Sequence, residues 1–330
     1  MSLHIRSFTP DDYAAVVAVD NAVYTEYVGT VAELRRRDEQ RDPKLFFTRL
    51  VAEQDDRIVG IGMASHIPDM YHPRKFWIEV IVHPDQQGLG IGSLVYDRLL
   101  ELLAPFDPLV VRTSTREDWT RSVRFLERHG FAEEMRAWES RLDVAAFDPT
   151  PYADAEEHVR SHGIVIKTLR ELESDPDRER KLYALVMELN RDVPAPDEIT
   201  DVDYEHFVQG WFNNPNLLPD ANFVALDGDQ YVGASALWAS QGSTDLYTGL
   251  TGVKRSHRRK GIALAMKLRG IAYARSIGTP TIKTWNESNN RPMLSINEAF
   301  GYVKQPAWIN YAKALKEEAY EHADQAVHAG

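Results

Sequence analysis

Two short stretches of the chain combine small residues with the spacing needed to hold an anion. Residues 87–92 read QGLGIG and residues 258–263 read RRKGIA. Each stretch follows an apolar segment and precedes an amphipathic one, so each predicts a strand, a turn and a helix in succession. The first N–H groups of such a helix have no partner within it, and the helix dipole places positive potential there. These turns are therefore suited to a phosphate group.

The two turns differ in charge. Arg258, Arg259 and Lys260 precede the glycine of the second turn, whereas the first turn begins at Gln87 and has no cation. The whole chain has 38 Lys and Arg against 50 Asp and Glu, a formal charge of −12, so this cluster is a local exception. Small residues allow a phosphate to approach the backbone; they are Gly88, Gly90, Gly92, Gly261 and Ala263. We predict a pyrophosphate clamp at the second turn.

Two better-known phosphate loops fit these stretches poorly. The Walker loop needs GxxxxGK followed by Ser or Thr, and neither stretch contains it. The dinucleotide fingerprint GxGxxG needs a third glycine at a position where the first turn has Ser93. The second turn has a single glycine, Gly261, and also lacks the fingerprint.

A repeat relates the two stretches, because residues of the second half match residues 171 positions earlier. The match runs without a gap from Val82 and Val253 to Gly130 and Gly301. Upstream, VAEQDDRIVG resembles VALDGDQYVG at an offset of 173, so a two-residue difference falls between the two blocks. A whole domain is therefore duplicated. We predict an N-terminal domain at residues 1–147, a linker with two prolines at 148–163, and a C-terminal domain at 164–330 that ends in a polar tail.

The pattern of the turns resembles motif A of the GNAT superfamily of N-acetyltransferases. That motif has Gln or Arg, two residues, Gly, one residue, then Gly or Ala, as from Gln87 to Gly92 and from Arg258 to Ala263. The last helix of the family ends in a similar way, here as HGF and FGY. The resemblance covers both halves and implies an α/β fold of two GNAT (acyl-CoA N-acyltransferase) domains. Each would have a mixed, largely antiparallel central sheet flanked by helices.

The resemblance also implies acetyl-CoA as the cosubstrate, with its pyrophosphate on the glycine turn. A backbone N–H near Val82 or Val253 would position the thioester carbonyl and stabilise charge that develops on its oxygen. Asn286 and Asn290 lie where side chains could hold the pantetheine amides. The alternative is that an Asn caps the last helix, from position 286 or 289.

Glu79, in the apolar segment FWIEVIV, is the candidate general base. A carboxylate inside an apolar strand is costly unless it is paired or functional. The alternative is that Glu79 lies on an exposed strand face, or pairs with Arg74 or Lys75. The aligned residue of the second half is Leu250, so that half has only weaker candidates nearby: Asp245, Tyr247 and Thr248.

The acid of the family departs from its usual pattern in this chain. In many members a Tyr of the last helix protonates the leaving thiolate, but the matching positions hold Leu126 and Asn297. Trp119 of the first half replaces Asn290 of the second, so a pantetheine contact is missing there. We therefore expect the second half to be the catalytic one.

Composition limits the remaining classes. Cysteine is absent, which excludes disulfides, thiolate zinc sites and a Cys nucleophile. Among the 11 His residues one pair, His158 and His162, has HxxxH spacing, but a zinc site needs at least three protein ligands, so no metal is expected. The N-terminus has no apolar segment of signal-peptide length, and no run of about 18 apolar residues occurs, so we expect a cytoplasmic protein. A net negative chain is a poor binder of nucleic acid or an anionic membrane.

These observations predict an acetyl-CoA-dependent N-acetyltransferase that acts on a primary amine of a small molecule. The acidic balance favours a cationic acceptor. One alternative is a non-catalytic protein that binds acyl-CoA as a sensor. Another is an N-acetyltransferase that acts on a protein or peptide. The oligomeric state cannot be read from the sequence.

Overall fold

The computed structural model describes residues 3–318 of the chain. Within that range the strands are β1 (Leu3–Ser7), β2 (Phe47–Gln54), β3 (Arg57–Ser65), β4 (Lys75–Val82), β5 (Val110–Arg116), β6 (Ala132–Asp143), β7 (Ile164–Thr168), β8 (Leu217–Asp227), β9 (Gln230–Trp238), β10 (Leu246–Val253), β11 (Thr281–Glu287), β12 (Val303–Lys304) and β13 (Trp308–Ala314). The α-helices are α1 (Tyr13–Val23), α2 (Val31–Glu39), α3 (Ile91–Leu103), α4 (Thr120–Arg128), α5 (Ala155–Ser161), α6 (Arg178–Asn190), α7 (Tyr204–Trp211), α8 (Ile262–Ser276) and α9 (Arg291–Ala299).

The chain divides into two compact units. Unit 1 comprises the residues up to Arg136 together with those from Trp308 onward, and unit 2 comprises Ala137–Ala307. In unit 1 the strand order is β1, β2, β3, β4, β5, β13. Only β4 and β5 run parallel; the other neighbours are antiparallel. α3 and α4 pack with one core cluster, and α1 packs with another that includes Val51, Ile61 and Ile81.

Unit 2 repeats this arrangement. Its strand order is β7, β8, β9, β10, β11, β6, with the short β12 on the outer side of β6. β10 and β11 are its parallel pair, and they are joined by α8. α8 and α9 share a core cluster with Leu142 of β6, whereas α6 and α7 pack in a separate cluster. Each unit is thus a mixed, largely antiparallel sheet flanked by helices, as the sequence predicts.

The last strand of each unit comes from the other half of the sequence. β13 pairs with β5 over its whole length, from Trp308 opposite Arg116 to Ala314 opposite Val110. Residues 137–143 of β6 pair with β11 in the same antiparallel manner. The units therefore differ from the sequence-based division into residues 1–147 and 164–330. The repeat ends with the helix before each of these strands, so it carries no information about where the next strand pairs.

The predicted linker at residues 148–163 lies within unit 2 and contains α5. Val159 of this helix is buried, and Glu156 forms an ion pair of 2.7 Å with Arg269 of α8. The predicted polar tail extends beyond residue 318 and so falls outside the described residues. No helix between residues 3 and 318 is both long enough and apolar enough to cross a membrane.

Candidate functional site

The two parallel strands of unit 2 separate soon after they begin. β10 and β11 pair only at Leu246–Ile282 and Tyr247–Lys283. A register shift between Thr248 and Thr251 then marks a bulge in β10 against β9. A bulge bends its strand and increases the local twist. The carboxyl-terminal half of β10 is therefore free of β11 on one side, which opens a gap in the sheet.

This gap leads into a cleft of about 1100 Å³. Four backbone segments line it: the end of β10 (250–253), the turn before α8 and its first residues (255–264), the start of α9 (289–296) and the end of α6 (189–194). Of the residues predicted from the sequence, those in the lining are Val253, Arg258, Arg259, Gly261, Ala263 and Asn290. Lys260 and Asn286 are not part of the lining.

The turn before α8 has a backbone that side chains rarely adopt. Gly261 is the N-cap residue of α8 with φ 74°, and Arg259 has φ 64°. The turn before α3 is built in the same way, with φ 85° at both Gly88 and Gly90. Positive φ favours glycine and is strained for a residue with a Cβ. The residue of unit 1 that matches Arg259 is Gly88, so unit 2 has a side chain at a strained position where unit 1 has glycine.

The cation cluster is partly neutralised by a carboxylate that the sequence did not single out. Asp192, just after α6, accepts hydrogen bonds from Arg255 at 2.5 Å and from Arg258. The Arg255 guanidinium, with help from Arg258, holds the pKa of the Asp192 carboxyl below its usual range. Within residues 3–318, Arg259 and Lys260 have no ion pair, so they carry the uncompensated charge of the turn.

The two predicted Asn residues of unit 2 have different roles. Asn290 is the N-cap residue of α9, and its side chain accepts a hydrogen bond from the Met293 N–H at 3.4 Å. Asn286 accepts a hydrogen bond of 2.7 Å from the side chain of Asn297. The capping interpretation therefore fits Asn290 and not Asn286. Both side chains lie at the α9 wall, but only Asn290 lines the cleft.

In unit 1 an aromatic side chain packs at the start of the helix, whereas the turn itself is open at Gly88 and Gly90. β4 and β5 pair only at residues 75–77 and 110–112, but the register of β4 with β3 is continuous from Trp77 to Val82, so the bulge is absent. Phe125 of α4 lies against the turn, since a Cβ added at Gly92 would be 3.3 Å from its ring and 3.8 Å from Val80. The matching residue in unit 2 is Ile296, which lines the open cleft.

An aromatic cluster lies at the start of α4 in the same unit. The ring of Trp119, before α4, lies 5.4 Å from that of Tyr24 and 5.5 Å from that of Trp308. Tyr24 also stacks with Trp308 at 6.3 Å. The turn itself matches that of unit 2: Gln87 donates to the carbonyl oxygen of Val82 at 3.0 Å, as Arg258 does to that of Val253 at 3.1 Å. Unit 1 thus keeps the turn but fills the space beside it.

Glu79 of β4 fits neither alternative weighed from the sequence. It is partly buried, and its carboxylate accepts a hydrogen bond of 3.0 Å from the hydroxyl of Tyr24. Burial raises the pKa of Glu79, and the nearby Asp20 raises it further. A carboxyl with a raised pKa is compatible with a base role, and it belongs to the unit in which β4 lacks the bulge.

The weaker base candidates of unit 2 are engaged with neighbours. Asp245 forms an ion pair of 2.9 Å with the buried Lys283. Tyr247 stacks on Trp285 at 6.0 Å. Thr248 lies beside the buried phenol of Tyr302. No group of three or more His, Asp and Glu residues within the described range could hold a metal ion.

Sequence reasoning missed two residues of unit 2. Asp192 lies 66 residues before Arg258, so only the fold brings them together. Lys267 of α8 is 5 % exposed, so a charged side chain occupies a core position of this helix. A lysine on the apolar face of a predicted amphipathic helix was the available signal.

Comparison with known proteins supports the duplicated architecture. The model of the acetyltransferase (GNAT) family matches residues 14–131 and again residues 182–302. Among curated relatives, the mycothiol acetyltransferase of Thermobifida fusca is 25 % identical, over 94 % of this chain and 97 % of its own. That of Nocardioides sp. is 20 % identical, over 76 % of this chain and 90 % of its own.

Solved structures show the same fold at low identity. A tandem GNAT protein from the clavulanic acid biosynthesis pathway superposes with a TM-score of 0.73 at 15 % identity, covering 95 % of this chain and 98 % of its own. A GCN5-related N-acetyltransferase from Sphaerobacter thermophilus superposes with a TM-score of 0.68 at 19 % identity, covering 95 % and 96 %.

Proposed function

The chain belongs to the acetyltransferase (GNAT) family and is an acyltransferase that uses acetyl-CoA, and we propose that unit 2 is its catalytic half. In this proposal, unit 2 transfers the acetyl group to a primary amine of a small molecule by direct attack on the thioester. The observation that carries the proposal is the open cleft of unit 2, which begins at a glycine turn and extends along the separated end of β10.

The residues present in this cleft suit the cosubstrate. The N–H groups at the start of α8 and the unpaired Arg259 of the lining would bind the pyrophosphate, with Lys260 adding positive charge from outside the lining. Gly261 would let the phosphate reach the backbone. The cleft, at about 1100 Å³, is slightly larger than the upper value of about 1000 Å³ for most small-molecule sites. Asn290, at the N-terminus of α9, would face the pantetheine part.

The strand geometry would serve the chemistry. Acetyl-CoA supplies the acetyl group as an activated thioester. The bulge takes Gly249 and Leu250 out of register with β9, and Leu250, Thr251 and Val253 line the cleft. A backbone N–H of this segment would donate to the thioester carbonyl oxygen and stabilise the charge that develops there. The acceptor would enter from the other face of the sheet, where α6 and α7 pack.

The acceptor is assigned only as a class. The net charge of −12 favours a cationic amine. Two relatives of similar length are named mycothiol acetyltransferases, which supports a small-molecule acceptor over a protein. With an identity of 20–25 %, these relatives support the class of acceptor and not one particular amine.

An amine screen tests this proposal. The protein is incubated with acetyl-CoA and a panel of amino sugars, polyamines and amino-acid derivatives, and products are detected by mass spectrometry. We expect one acetylated primary amine, with one free thiol released per product. Binding of acetyl-CoA without any acetylated product would support the sensor alternative, and acetylation of peptides alone would support the protein-directed one.

A further inference from the structure

Unit 2 contains a buried ammonium group that the proposed function does not use. The side chain of Lys267 is 5 % exposed, and its Nζ lies over the ring of Tyr302 at 5.3 Å. Among residues 3–318 the ammonium has no hydrogen bond and no ion pair. A buried charge without a partner is costly, so its retention requires a compensating interaction.

Lys267 lies one helical turn beyond the residues of α8 that line the cleft. Ala263 and Leu264 line the cleft, and Lys267 follows them by four and three residues, on the same side of α8. Because α8 crosses back from β10 to the parallel β11, the step from Gly261 to Lys267 leads about 9 Å toward the paired ends of these strands. Along α8, Lys267 is therefore displaced from the glycine turn toward the closed end of the gap.

A second polar group without a partner lies on the facing helix. Asn297 of α9 is 1 % exposed, and its Oδ1 has no hydrogen-bond partner within the described residues. It follows Met293, which lines the cleft, by one helical turn. The Asn297 carbonyl also accepts the Tyr302 N–H at 3.0 Å, which connects it to the residue beneath Lys267. A buried donor and a buried acceptor thus both contact Tyr302, each one helical turn beyond residues that line the cleft.

Unit 1 provides an internal comparison. The residue that matches Lys267 is Tyr96, whose hydroxyl accepts a hydrogen bond of 3.0 Å from Lys313. The residue that matches Asn297 is Leu126, which is apolar and buried. In unit 1 both positions are therefore satisfied within the protein. Only the unit with the open cleft leaves both groups for a ligand.

We propose that Lys267 is the proton donor to the sulfur of CoA, at the position in the reaction that a tyrosine serves in many relatives. This inference rests on the proposed function, because it places the cosubstrate in the cleft of unit 2. The acceptor nitrogen forms a bond to the acetyl carbon, the carbon–sulfur bond breaks, and its electron pair stays on sulfur. The Lys267 ammonium gives one proton to that sulfur and regains it from solvent, while the acceptor nitrogen loses one proton to solvent. Asn297 is a positioning residue that can accept a hydrogen bond from the thiol.

The protonation behaviour of Lys267 agrees with this role. Burial alone lowers the pKa of the ammonium to about 8, near the value of about 8.5 for an ordinary thiol. The other titratable group that faces it is the Tyr302 phenol, whose pKa burial raises. The Glu156–Arg269 pair belongs to a different flank of α8, where α5 packs. The group is therefore charged at neutral pH and able to release its proton to a thiolate.

The pKa of the bound CoA thiol tests the proposal without an acceptor. Thiolate absorbance is followed against pH for CoA bound to the wild type, to Lys267→Met and to the matched control Tyr96→Phe. We expect the bound thiol to titrate at least about one pH unit lower in the wild type and the control than in Lys267→Met. Desulfo-CoA should bind the wild type and Lys267→Met equally within about 2-fold.

Each outcome separates this inference from the function on which it rests. An unchanged thiol pKa in Lys267→Met would overturn the inference, as would equal losses of affinity for CoA and desulfo-CoA, which would place Lys267 on a pantetheine amide. If wild type binds no CoA at all, the proposed function fails first. With an acceptor in hand, kcat of Lys267→Met should fall by about 10²-fold or more with KM nearly unchanged. Lys267→Arg should not recover it, because a guanidinium keeps its proton, and full recovery by Arg would show that only the positive charge matters.

The stability of the free protein gives a readout that does not depend on CoA. Lys267 is held at a pKa of about 8 in the folded chain against about 10.4 in an unfolded one. Unfolding therefore binds a proton between these values, and wild-type stability should rise with pH across that window. Lys267→Met should lack this rise and unfold at a higher temperature at pH 7. A lower midpoint with no change in the pH dependence would contradict the burial of a charged Lys267.

Discussion

Arg258 donates a hydrogen bond from its Nε to the carbonyl oxygen of Val253 at 3.1 Å. Gln87 and Val82 make the same contact in unit 1, at 3.0 Å. The first residue of each turn therefore closes a loop back onto the strand that precedes it. In unit 2 this residue also carries a charge, which Asp192 holds in place. The contact explains why either Gln or Arg can begin the motif: both have an N–H at the required reach.

Replacement of Arg258 by Gln should separate the structural role of this residue from its charge. The Gln side chain should keep the bond to Val253, as Gln87 does to Val82, so the thermal midpoint should change by less than about 2 °C. The affinity for acetyl-CoA should fall by about 5-fold or more, because one cation beside the pyrophosphate is lost. Calorimetry at two salt concentrations checks this, and an unchanged affinity would show that Asp192 already neutralises Arg258.

The backbone at Arg259 predicts an opposite change in stability and in binding. Its φ of 64° is strained for a side chain, and the matching Gly88 has φ 85°. Arg259→Gly should raise the free energy of unfolding by about 1 kcal/mol and weaken acetyl-CoA binding. Gly88→Ala is the inverse control and should destabilise by a similar amount. Denaturant titrations measure both variants, and a destabilised Arg259→Gly would refute the strain.

Glu79 should make unit 1 sensitive to pH. Burial raises the pKa of this carboxyl above its usual value of 4.5, so the folded chain binds more protons than the unfolded one above pH 4.5. Stability should therefore fall as pH rises from 4.5 through the folded pKa. Glu79→Gln should flatten this slope and be more stable than wild type at pH 7. The Gln side chain has no charge to bury and can still accept the hydrogen bond from the Tyr24 hydroxyl. Acetyl-CoA binding and the pH–rate profile should stay unchanged, whereas loss of the acid limb of that profile, together with a large fall in kcat, would assign catalysis to unit 1.

Much of the fold and the location of the turns could be predicted from local sequence. Gly90 and Gly261 lie at helix starts with positive φ, a conformation that glycine adopts at low cost because it has no Cβ. The hairpins, the parallel strands and the helices follow from apolar spacing and from the repeat. These features depend on residues close together in the chain.

The remainder depends on contacts between distant residues. The pairing of β13 with β5 joins positions about 200 residues apart, and the repeat stops before it. Asp192 meets Arg258 only after α6 has packed beside β10. The filling of the unit 1 cleft depends on the rotamers of Phe125 and Trp119, since their residue types alone do not show where the rings lie.

The central claim is that unit 2 holds acetyl-CoA at its glycine turn. Calorimetric titration of acetyl-CoA into Gly261→Val and Gly90→Val tests it most directly, with folding checked by circular dichroism. Each variant places a β-branched residue at a helix N-cap with positive φ. A Cβ at position 261 would lie 3.1 Å from His158, whereas one at position 90 would meet nothing within 4 Å, so the thermal midpoint of each variant is measured as well. We expect Gly261→Val to lose at least about 10-fold in affinity and Gly90→Val to stay within about 2-fold of wild type. The opposite result, with binding lost only in Gly90→Val, would contradict the claim and assign the cosubstrate to unit 1.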